Sequence, residues 1–306
     1  MTNIKTLARF AAFMAPIALR TVFAQAQTSG VSTSGTLTVE TLTPKIRKVT
    51  FANPPANLIG PDTVSRLREI VKELADDPLV QVVVFTSSTP RFFFNHFDLR
   101  QATKFPRVPG DDSTATWVDL VVRLSKAPFI SIASIRGRTR GGGNELSLAM
   151  DLRYASQEQA FFSQPEVGTG IVPGGGGSER LPRLIGRDRA LEAILSSQDY
   201  DADTAERWGW ITRSVPDTEL DQMVDKMAAR LASFDKSVLI AAKTQVNRAS
   251  LPPDADLRDA YAEYTRSLAN PGFPPRMSRL GRAITEKGLD VELRLGDYLG
   301  ASGPAL

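Results

Sequence analysis

The sequence contains no cysteine and a single histidine, His96. The absence of cysteine excludes disulfide bonds, thiolate nucleophiles, zinc–thiolate sites and iron–sulfur clusters. A multi-histidine metal site cannot form, and a Ser–His–Asp triad would have to use His96. No Asp-x-Asp-x-Asp-Gly loop for a hard cation occurs either. We therefore expect neither a metal site nor a bound cofactor.

Blocks of like charge are also missing. The chain has 37 basic and 34 acidic residues, which gives a formal net charge of only +3. A near-balanced and dispersed charge argues against a nucleic-acid partner, because such proteins usually carry a basic stripe or patch. No apolar run reaches the roughly 18 residues of a membrane span, so we expect no stable membrane insertion.

The first 39 residues contain no acidic residue. Lys5 and Arg9 precede an apolar run over residues 10–19, and Ala24-Gln25-Ala26 follows. This pattern predicts a signal or targeting segment over residues 1–26, cleaved after Ala26, which would make the protein periplasmic or secreted. Arginine without acid also suits an organellar presequence, and an uncleaved tail of a cytoplasmic protein is the third alternative.

Residues 27–36 are rich in Gln, Ser, Thr and Gly, which is typical of a linker. Beyond them, apolar residues recur with alternating strand and helix periods, which predicts an α/β core over residues 37–200 with right-handed crossovers. Residues 201–306 read as a helical C-terminal region. Strands are predicted at 37–40, 46–51, 80–86, 129–135 and 152–155, and helices near 62–74, 117–124, 144–150, 187–195, 202–208, 219–234 and 238–249.

A glycine turn follows the predicted strand 129–135, where Gly141-Gly142-Gly143 leads into Asn144-Glu145. Glycines at a helix start leave backbone N–H groups free to bind an anion or an oxyanion. Glu145 would then lie beside the bound group. The alternative is a tight turn without a ligand. Phosphate-loop and dinucleotide fingerprints do not match this turn.

A second carboxylate lies in the segment Gln164-Pro165-Glu166, which is followed by Pro173 and the glycine run 174–177. Two carboxyl groups allow one to act as base while the other stays protonated as acid, as addition of water to an activated double bond requires. Glu166 could instead be an ordinary exposed loop residue.

These segments, together with Arg180-Leu181-Pro182-Arg183-Leu184-Ile185-Gly186, resemble the enoyl-CoA hydratase/isomerase (crotonase) superfamily over roughly residues 45–250. Residues 53–57 resemble that family's early substrate loop, and residues 93–99 take the place of its Ala-Gly-x-Asp-Leu turn. The resemblance implies a fold of the α/β class, a crotonase-like ββα spiral core with a helical C-terminal region.

The resemblance also implies the site residues. The backbone N–H groups of Phe97 and Gly142 would form an oxyanion hole for a thioester carbonyl, and Glu145 and Glu166 would be the catalytic acid/base pair. An acyl-CoA would be the substrate, with no cofactor, and the protein would be a homotrimer or homohexamer. The remaining implied substrate-binding residues are Ala56, Asn57, Asn95, His96, Asp98, Gly141, Pro173 and Gly174.

Three functions stay open at this point. Hydration of a 2-enoyl thioester uses both glutamates, whereas double-bond isomerisation needs only one. A non-catalytic exported binding module would suit the leader and the replacement of Ala-Gly by Asn95-His96. His96 itself could donate to the substrate or shift the pKa of the acid, or it could be packed in a turn with both nitrogens satisfied.

Overall fold

The structure is a computed structural model that describes residues 35–301. The predicted leader, residues 1–26, lies outside this range, as does all but the end of the predicted linker, residues 27–36. Within the described range, every helix is too short or too polar to cross a membrane.

A six-stranded sheet forms the centre of the fold, in the order β1-β2-β3-β6-β8-β11. Strands β1 and β2 form the predicted antiparallel pair, and the other neighbours are parallel. A three-stranded sheet, β10-β9-β7, and the hairpin β4-β5 complete the β structure of the described chain. The strands are β1 (Thr36–Thr43), β2 (Ile46–Ala52), β3 (Val82–Ser87), β4 (Arg107–Val108), β5 (Asp111–Ala115), β6 (Ile130–Ile135), β7 (Arg138–Arg140), β8 (Leu152–Ser156), β9 (Phe161–Ser163), β10 (Tyr200–Asp201) and β11 (Arg213–Val215).

Helices connect the parallel strands and make up the C-terminal part of the chain. A 3₁₀ helix, η1 (Leu99–Lys104), follows the turn after β3. The α-helices are α1 (Pro61–Asp76), α2 (Thr116–Lys126), α3 (Gly142–Leu148), α4 (Glu166–Thr169), α5 (Gly177–Ile185), α6 (Arg187–Ser196), α7 (Ala202–Trp208), α8 (Asp217–Ala232), α9 (Lys236–Ser250), α10 (Asp254–Ser267), α11 (Phe273–Lys287), α12 (Leu289–Leu293) and α13 (Leu295–Ala301).

The apolar run of β3 is explained by helices on both faces of the main sheet. Val83 and Phe85 pack into the large core that includes α1 and α2. Val84, on the opposite face, packs into a second core with Leu220 and Val224 of α8. A strand buried on both sides requires apolar residues at successive positions, and this pattern is what the sequence showed. The α/β fold class is confirmed.

The longer predicted elements are confirmed with shifts of a few residues at their ends. The short strands β7, β9 and β10 were not predicted, because two or three residues are too few to show a period. The main sheet also continues beyond residue 200, since β11 pairs in parallel with β8. The helical C-terminal region therefore contributes the sixth strand of the sheet.

The C-terminal helices fold back onto the predicted site. Phe273 of α11 and Tyr264 of α10 form a buried cluster with Ile171. Leu299 of α13 packs on Gly168, where an added Cβ would lie 3.0 Å from the leucine Cβ. The segment that carries Glu166 is thus covered by residues from the end of the chain.

Two glycines bring the segment after β3 against the chain that follows β6. A Cβ on Gly143 would lie 1.8 Å from the carbonyl oxygen of Phe94, so only glycine permits this contact. Gly137 has a φ of +96°, and a Cβ there would lie 2.1 Å from the carbonyl carbon of Arg91. Close backbone approach at these positions is the structural reason for the glycines.

We predict that Gly143→Ala destabilises the fold by about 3 kcal/mol or more, because the new methyl group overlaps backbone atoms that have no room to move. Gly281→Ala in α11 is the matched control, since nothing lies within 4 Å of its added Cβ. The control should be neutral or stabilising by up to about 1 kcal/mol. Urea unfolding of both variants measures the difference, and equal stabilities would show that the contact does not constrain the fold.

Candidate active site

The two proposed oxyanion donors lie where the turn after β3 meets α3. Phe97 forms a parallel bridge with Ile59, which fixes the backbone of the turn. The bonds of that bridge use the carbonyl of His96 and the N–H of Asp98. Within the described residues, the N–H groups of Phe97 and Gly142 donate no hydrogen bond to the protein. Both donors therefore remain available to a ligand.

The ring of Phe97 has a packing role that the sequence did not reveal. It packs against Phe105 in a tilted arrangement and against Trp117 edge to face, with ring centroids 4.5 and 4.8 Å apart. It also covers Gly142, where an added Cβ would lie 2.8 Å from the ring. Phe97 thus contributes a backbone donor and a buried aromatic wall at the same position.

The side chain of Glu145 is held in the interior by backbone donors. Its Oε1 accepts hydrogen bonds from the N–H of Gly175 at 2.7 Å and of Gly177 at 3.2 Å. Burial raises the pKa of Glu145, against the opposing effects of these two N–H groups and of the Arg180 charge. The glycine run 174–177 therefore has a specific task, which is to orient and stabilise this carboxylate.

Glu166 opens the short helix α4 and lies against the glycine turn. Its Oε1 would be 2.7 Å from a Cβ on Gly141, and its Oε2 is buried with no hydrogen-bond partner among residues 35–301. Burial, together with the negative charge of Glu145, raises the pKa of Glu166 well above the usual range. Its own backbone and Gln164 oppose this rise but do not offset it. Glu145 instead has the N–H groups of the glycine run and the charge of Arg180, so the proton of the pair belongs on Glu166.

A buried network ties the segment of Glu166 to α3. Asn144 donates from Nδ2 to Oε1 of Gln164 at 2.6 Å, and its Oδ1 accepts from Nε1 of Trp210 at 2.9 Å. All three side chains are fully buried. The residues that flank the two glutamates are therefore locked together, and Trp210 has a polar role in addition to packing.

Asn57 supports the fold around the site through its side chain. Its Oδ1 accepts from the N–H of Asn53 and from Oγ1 of Thr89, each at 2.6 Å. Its Nδ2 donates to Oγ of Ser87 and to the carbonyl of Phe93. Every hydrogen-bonding position of the amide is thus used within the protein. The backbone N–H of Asn57 donates to the carbonyl of Asn53, and its carbonyl accepts from the N–H of Asn95, so Asn57 shapes the loop.

The polar side chains of the predicted turn are also bound internally. Asn95 donates to the carbonyl of Ala56 at 3.1 Å and to Glu292 at 3.2 Å. His96 contacts Glu292 as well, at 3.0 Å, and its other ring nitrogen faces the carbonyl of Phe97 at 2.9 Å. Of the sequence alternatives for His96, the structure shows the packed histidine with both nitrogens satisfied.

Asp98 caps the 3₁₀ helix η1. Its carboxylate accepts from the backbone N–H and the guanidinium of Arg100 and from Nε2 of Gln101. Burial opposes ionisation, but these donors outweigh it and hold the pKa of Asp98 below its usual value. The side chain is therefore engaged in ending the turn that carries Phe97.

Gly174 and its neighbour Pro173 are buried beneath α10. A Cβ on Gly174 would lie 2.4 Å from Cβ of Tyr264. The hydroxyl of Tyr264 is buried with no hydrogen-bond partner in the part of the chain that the structure describes. Burial raises the pKa of Tyr264, and nearby negative charges, those of Glu166 and Glu145 among them, raise it further. The sequence carried no sign of this residue, because it lies on a helix far along the chain.

Two further polar groups near Glu145 were missed by sequence reasoning. One of them is Nε1 of Trp117. A Cβ added to Gly175 would lie 2.1 Å from this nitrogen and 2.3 Å from Oε2 of Glu145, so both atoms lie against the same face of Gly175. Glu179 lies nearby, and burial with the charge of Glu145 raises its pKa to about 7. In the sequence, only its position just after the glycine run indicated that Glu179 would lie near the site.

The arrangement combines two unused backbone donors with two carboxyl groups of different proton affinity, the buried one of Glu145 and the partly buried one of Glu166. Among the described residues, no group of three or more His, Cys, Asp or Glu side chains is placed to hold a metal ion. Such a site suits an enzyme that stabilises an anionic intermediate and moves protons with carboxyl groups.

Comparison with known proteins agrees with this class. Residues 42–270 match the enoyl-CoA hydratase/isomerase family. A short-chain-enoyl-CoA hydratase from Clostridium acetobutylicum is 31% identical over 205 residues, which cover 67% of this chain and 78% of that protein. A crotonyl-CoA hydratase from Syntrophomonas wolfei is 31% identical over 201 residues, covering 65% of this chain and 77% of that protein.

A crystal structure from Streptomyces avermitilis, assigned as an enoyl-CoA hydratase, aligns with a TM-score of 0.83 and 40% identity. The alignment covers 90% of this chain and 98% of that chain. The chain belongs to the enoyl-CoA hydratase/isomerase (crotonase) family and is an enzyme of that family. The resemblance seen in the sequence is thereby confirmed.

Proposed function

We propose that the protein hydrates a 2-enoyl thioester, with an acyl-CoA as the substrate and no cofactor. The observation that carries the proposal is the pair of glutamates, one buried and one partly buried, beside two unused backbone N–H groups. Relatives named as hydratases of short-chain enoyl-CoA and crotonyl-CoA support the substrate class. A single carboxyl group would suffice for isomerisation, whereas hydration uses two.

The surroundings of the glutamates assign their roles. Glu145 is the ionised member of the pair and acts as the base, because two backbone N–H groups stabilise its charge. Glu166 is the acid, because burial and the neighbouring charge of Glu145 keep it protonated. The pair titrates as a unit, so its two apparent pKa values belong to both residues.

The reaction then proceeds through an enolate. Glu145 takes a proton from water as the oxygen forms a bond to the β-carbon, and the electrons of the double bond move onto the thioester oxygen. The N–H groups of Phe97 and Gly142 bind this oxyanion. Glu166 gives its proton to the α-carbon, which restores the thioester and completes the addition of one water molecule.

We expect Glu145→Gln and Glu166→Gln each to lower hydration of a short 2-enoyl-CoA by about 10²-fold or more, since each removes a positioned base or acid. In the native protein, activity should fall as pH drops through the raised pKa of Glu145, and fall again as pH rises through that of Glu166. Initial-rate assays across pH, followed by loss of enoyl absorbance, measure both effects.

Glu219→Gln is the matched control, because Glu219 is exposed on α8. Its activity and pH profile should equal those of the native protein. Hydration by Glu145→Gln at the native rate would remove the two-glutamate mechanism. Conversion of a 3-enoyl-CoA by Glu145→Gln or Glu166→Gln, with no hydration by any variant, would favour the isomerase.

The oxyanion hole is tested by comparing Gly142→Pro with Gly142→Ala. Both add a Cβ against the Phe97 ring, but only proline removes the N–H donor. Loss of one such donor typically costs about 3 kcal/mol in the transition state, so kcat of the proline variant should be about 10²-fold below that of the alanine variant. Equal kcat values in two folded variants would contradict a role for this N–H.

We further propose that the protein is a homotrimer or homohexamer, with α9 at the contact between subunits. Lys243 holds α9 to the core through the carbonyls of Ala127 and Phe129 and the carboxylate of Asp151. Val238 and Val246 are nevertheless each 64% exposed on the same helix. A groove of about 480 Å³ runs beside it. An exposed apolar helix face next to a groove is typical of a protein interface.

The double variant Val238→Asp/Val246→Asp should dissociate the assembly, because it places charge in the apolar contact. Sedimentation velocity at micromolar concentration should show a trimer or larger species for the native protein and a smaller species for the variant. Gln245→Asp, at an exposed position of the same helix, is the control and should stay assembled. A monomeric native protein would refute the proposal.

A further inference from the structure

The turn that carries the Phe97 donor is tied to the C-terminal end of the chain by one carboxylate. Oε2 of Glu292 accepts hydrogen bonds from Nδ2 of Asn95 at 3.2 Å and from Nε2 of His96 at 3.0 Å. Asn95 and His96 are the two residues immediately before Phe97. They also replace the small Ala-Gly pair that the family carries at this turn.

Glu292 is itself rigidly placed. It lies on α12, beyond the family match at residues 42–270. Arg140 donates to the carbonyl of Glu292, and Arg138 donates to the carbonyl of Leu293. Arg140 is in turn held by Asp199 through two hydrogen bonds of 2.7 and 2.6 Å. The carboxylate of Glu292 is therefore presented to the turn from a fixed backbone.

The contacts of His96 require both ring nitrogens to carry protons. Nδ1 faces the carbonyl oxygen of Phe97 at 2.9 Å, and Nε2 faces the carboxylate of Glu292. Both partners only accept hydrogen bonds, so the full set forms with the imidazolium. A chain of contacts then runs from Glu292 through His96 to the carbonyl of Phe97, the residue whose N–H is the proposed donor.

We infer that Glu292 is a positioning residue for the oxyanion hole, which holds the Phe97 peptide in place through a charged His96. The inference rests on the proposed function, because it assigns the purpose of the contact to catalysis. Glu292 does not touch the reacting atoms. It acts through Asn95 and His96, and its loss should lower kcat while leaving substrate affinity nearly unchanged.

At neutral pH, the charged forms of His96 and Glu292 favour the contact between them. Burial lowers the pKa of His96, but the charge and hydrogen bond of Glu292 outweigh it and raise the value above normal. Burial raises the pKa of Glu292, and His96, Arg140 and Asn95 together lower it below normal. The pair is therefore charged between the lowered pKa of Glu292 and the raised pKa of His96.

Other charged groups face the same region. Arg140 of β7 opposes protonation of His96. Asp98 and Arg100 pair with each other at the start of η1, and Glu166 approaches Gly141 beside Cβ of His96. The pKa of His96 is higher in the folded protein than in the unfolded chain. The stability that this difference provides is fully present below the pKa of the unfolded chain and is lost as pH rises through the pKa of the folded protein, so the contact weakens over that range.

The single histidine allows a direct test. Protein without a histidine tag, labelled with ¹⁵N-histidine, gives the pKa of His96 by NMR titration. Glu292→Gln should lower this pKa by about 1–3 pH units, the effect of removing an opposite charge in contact. Glu286→Gln, at an exposed position of α11, is the control and should leave the pKa unchanged. A pKa unchanged in Glu292→Gln overturns the inference.

The role in positioning is tested by kinetics. Glu292→Gln should lower kcat for an enoyl-CoA by about 10-fold, less than the loss of an oxyanion donor itself, with KM changed by less than about 3-fold. His96→Gln should lower kcat similarly, and the double variant should lose less than the two single losses combined, because both changes break the same contact. Additive losses, or a kcat equal to that of Glu286→Gln, would overturn the inference.

Backbone hydrogen exchange separates this inference from the proposed function. The amides of Asn95 and Asp98, which donate to the carbonyls of Asn57 and Ile59, should exchange faster in Glu292→Gln than in Glu286→Gln at one fixed pH, whether or not the protein hydrates enoyl-CoA. Absence of hydration in the native protein refutes the function alone. Unchanged exchange refutes the positioning role alone. If Glu292→Gln does not fold, the native protein still decides. Exchange at these two amides, relative to the intrinsic exchange rate at each pH, must increase as His96 loses its proton.

Discussion

The contact of Gly143 with the carbonyl of Phe94 is the constraint on which the site depends. It places the turn after β3 directly on the first residues of α3. Two N–H groups from distant parts of the chain, those of Phe97 and Gly142, are thereby brought to one place. Backbone donors do not themselves ionise, so their alignment depends on the contacts that hold the turn and the start of the helix. Any side chain at residue 143 would separate the two segments.

The same packing places the two glutamates, but their pKa values depend on the balance between burial and hydrogen bonding. Burial raises the pKa of both Glu145 and Glu166, but only Glu145 receives N–H donors from the glycine run 174–177. The two carboxyl groups therefore differ in proton affinity although their chemistry is identical. That difference assigns a base and an acid in the proposed hydration, and it is produced by backbone geometry around Glu145.

The end of the chain completes the site in this protein. Tyr264 and Phe273 cover the segment of Glu166, and Glu292 binds the turn of Phe97. The family match ends at residue 270, before α11, α12 and α13. The Asn95-His96 pair in the turn has its partner in this late segment. The change in the turn and the C-terminal carboxylate are thus parts of one arrangement.

The sequence by itself determined the α/β class and the longer elements, because local periodicity encodes them, and its short motifs indicated Glu145 and Glu166 as the candidate acid/base pair. It also marked Phe97 and Gly142, through the resemblance of their segments to the family. Only the tertiary structure decided which polar side chains form hydrogen bonds inside the protein. Asn57 bonds within its own loop, and His96 binds Glu292, which lies 196 residues away in the chain. Long-range pairing and burial set those contacts, and a pattern read along the chain contains neither.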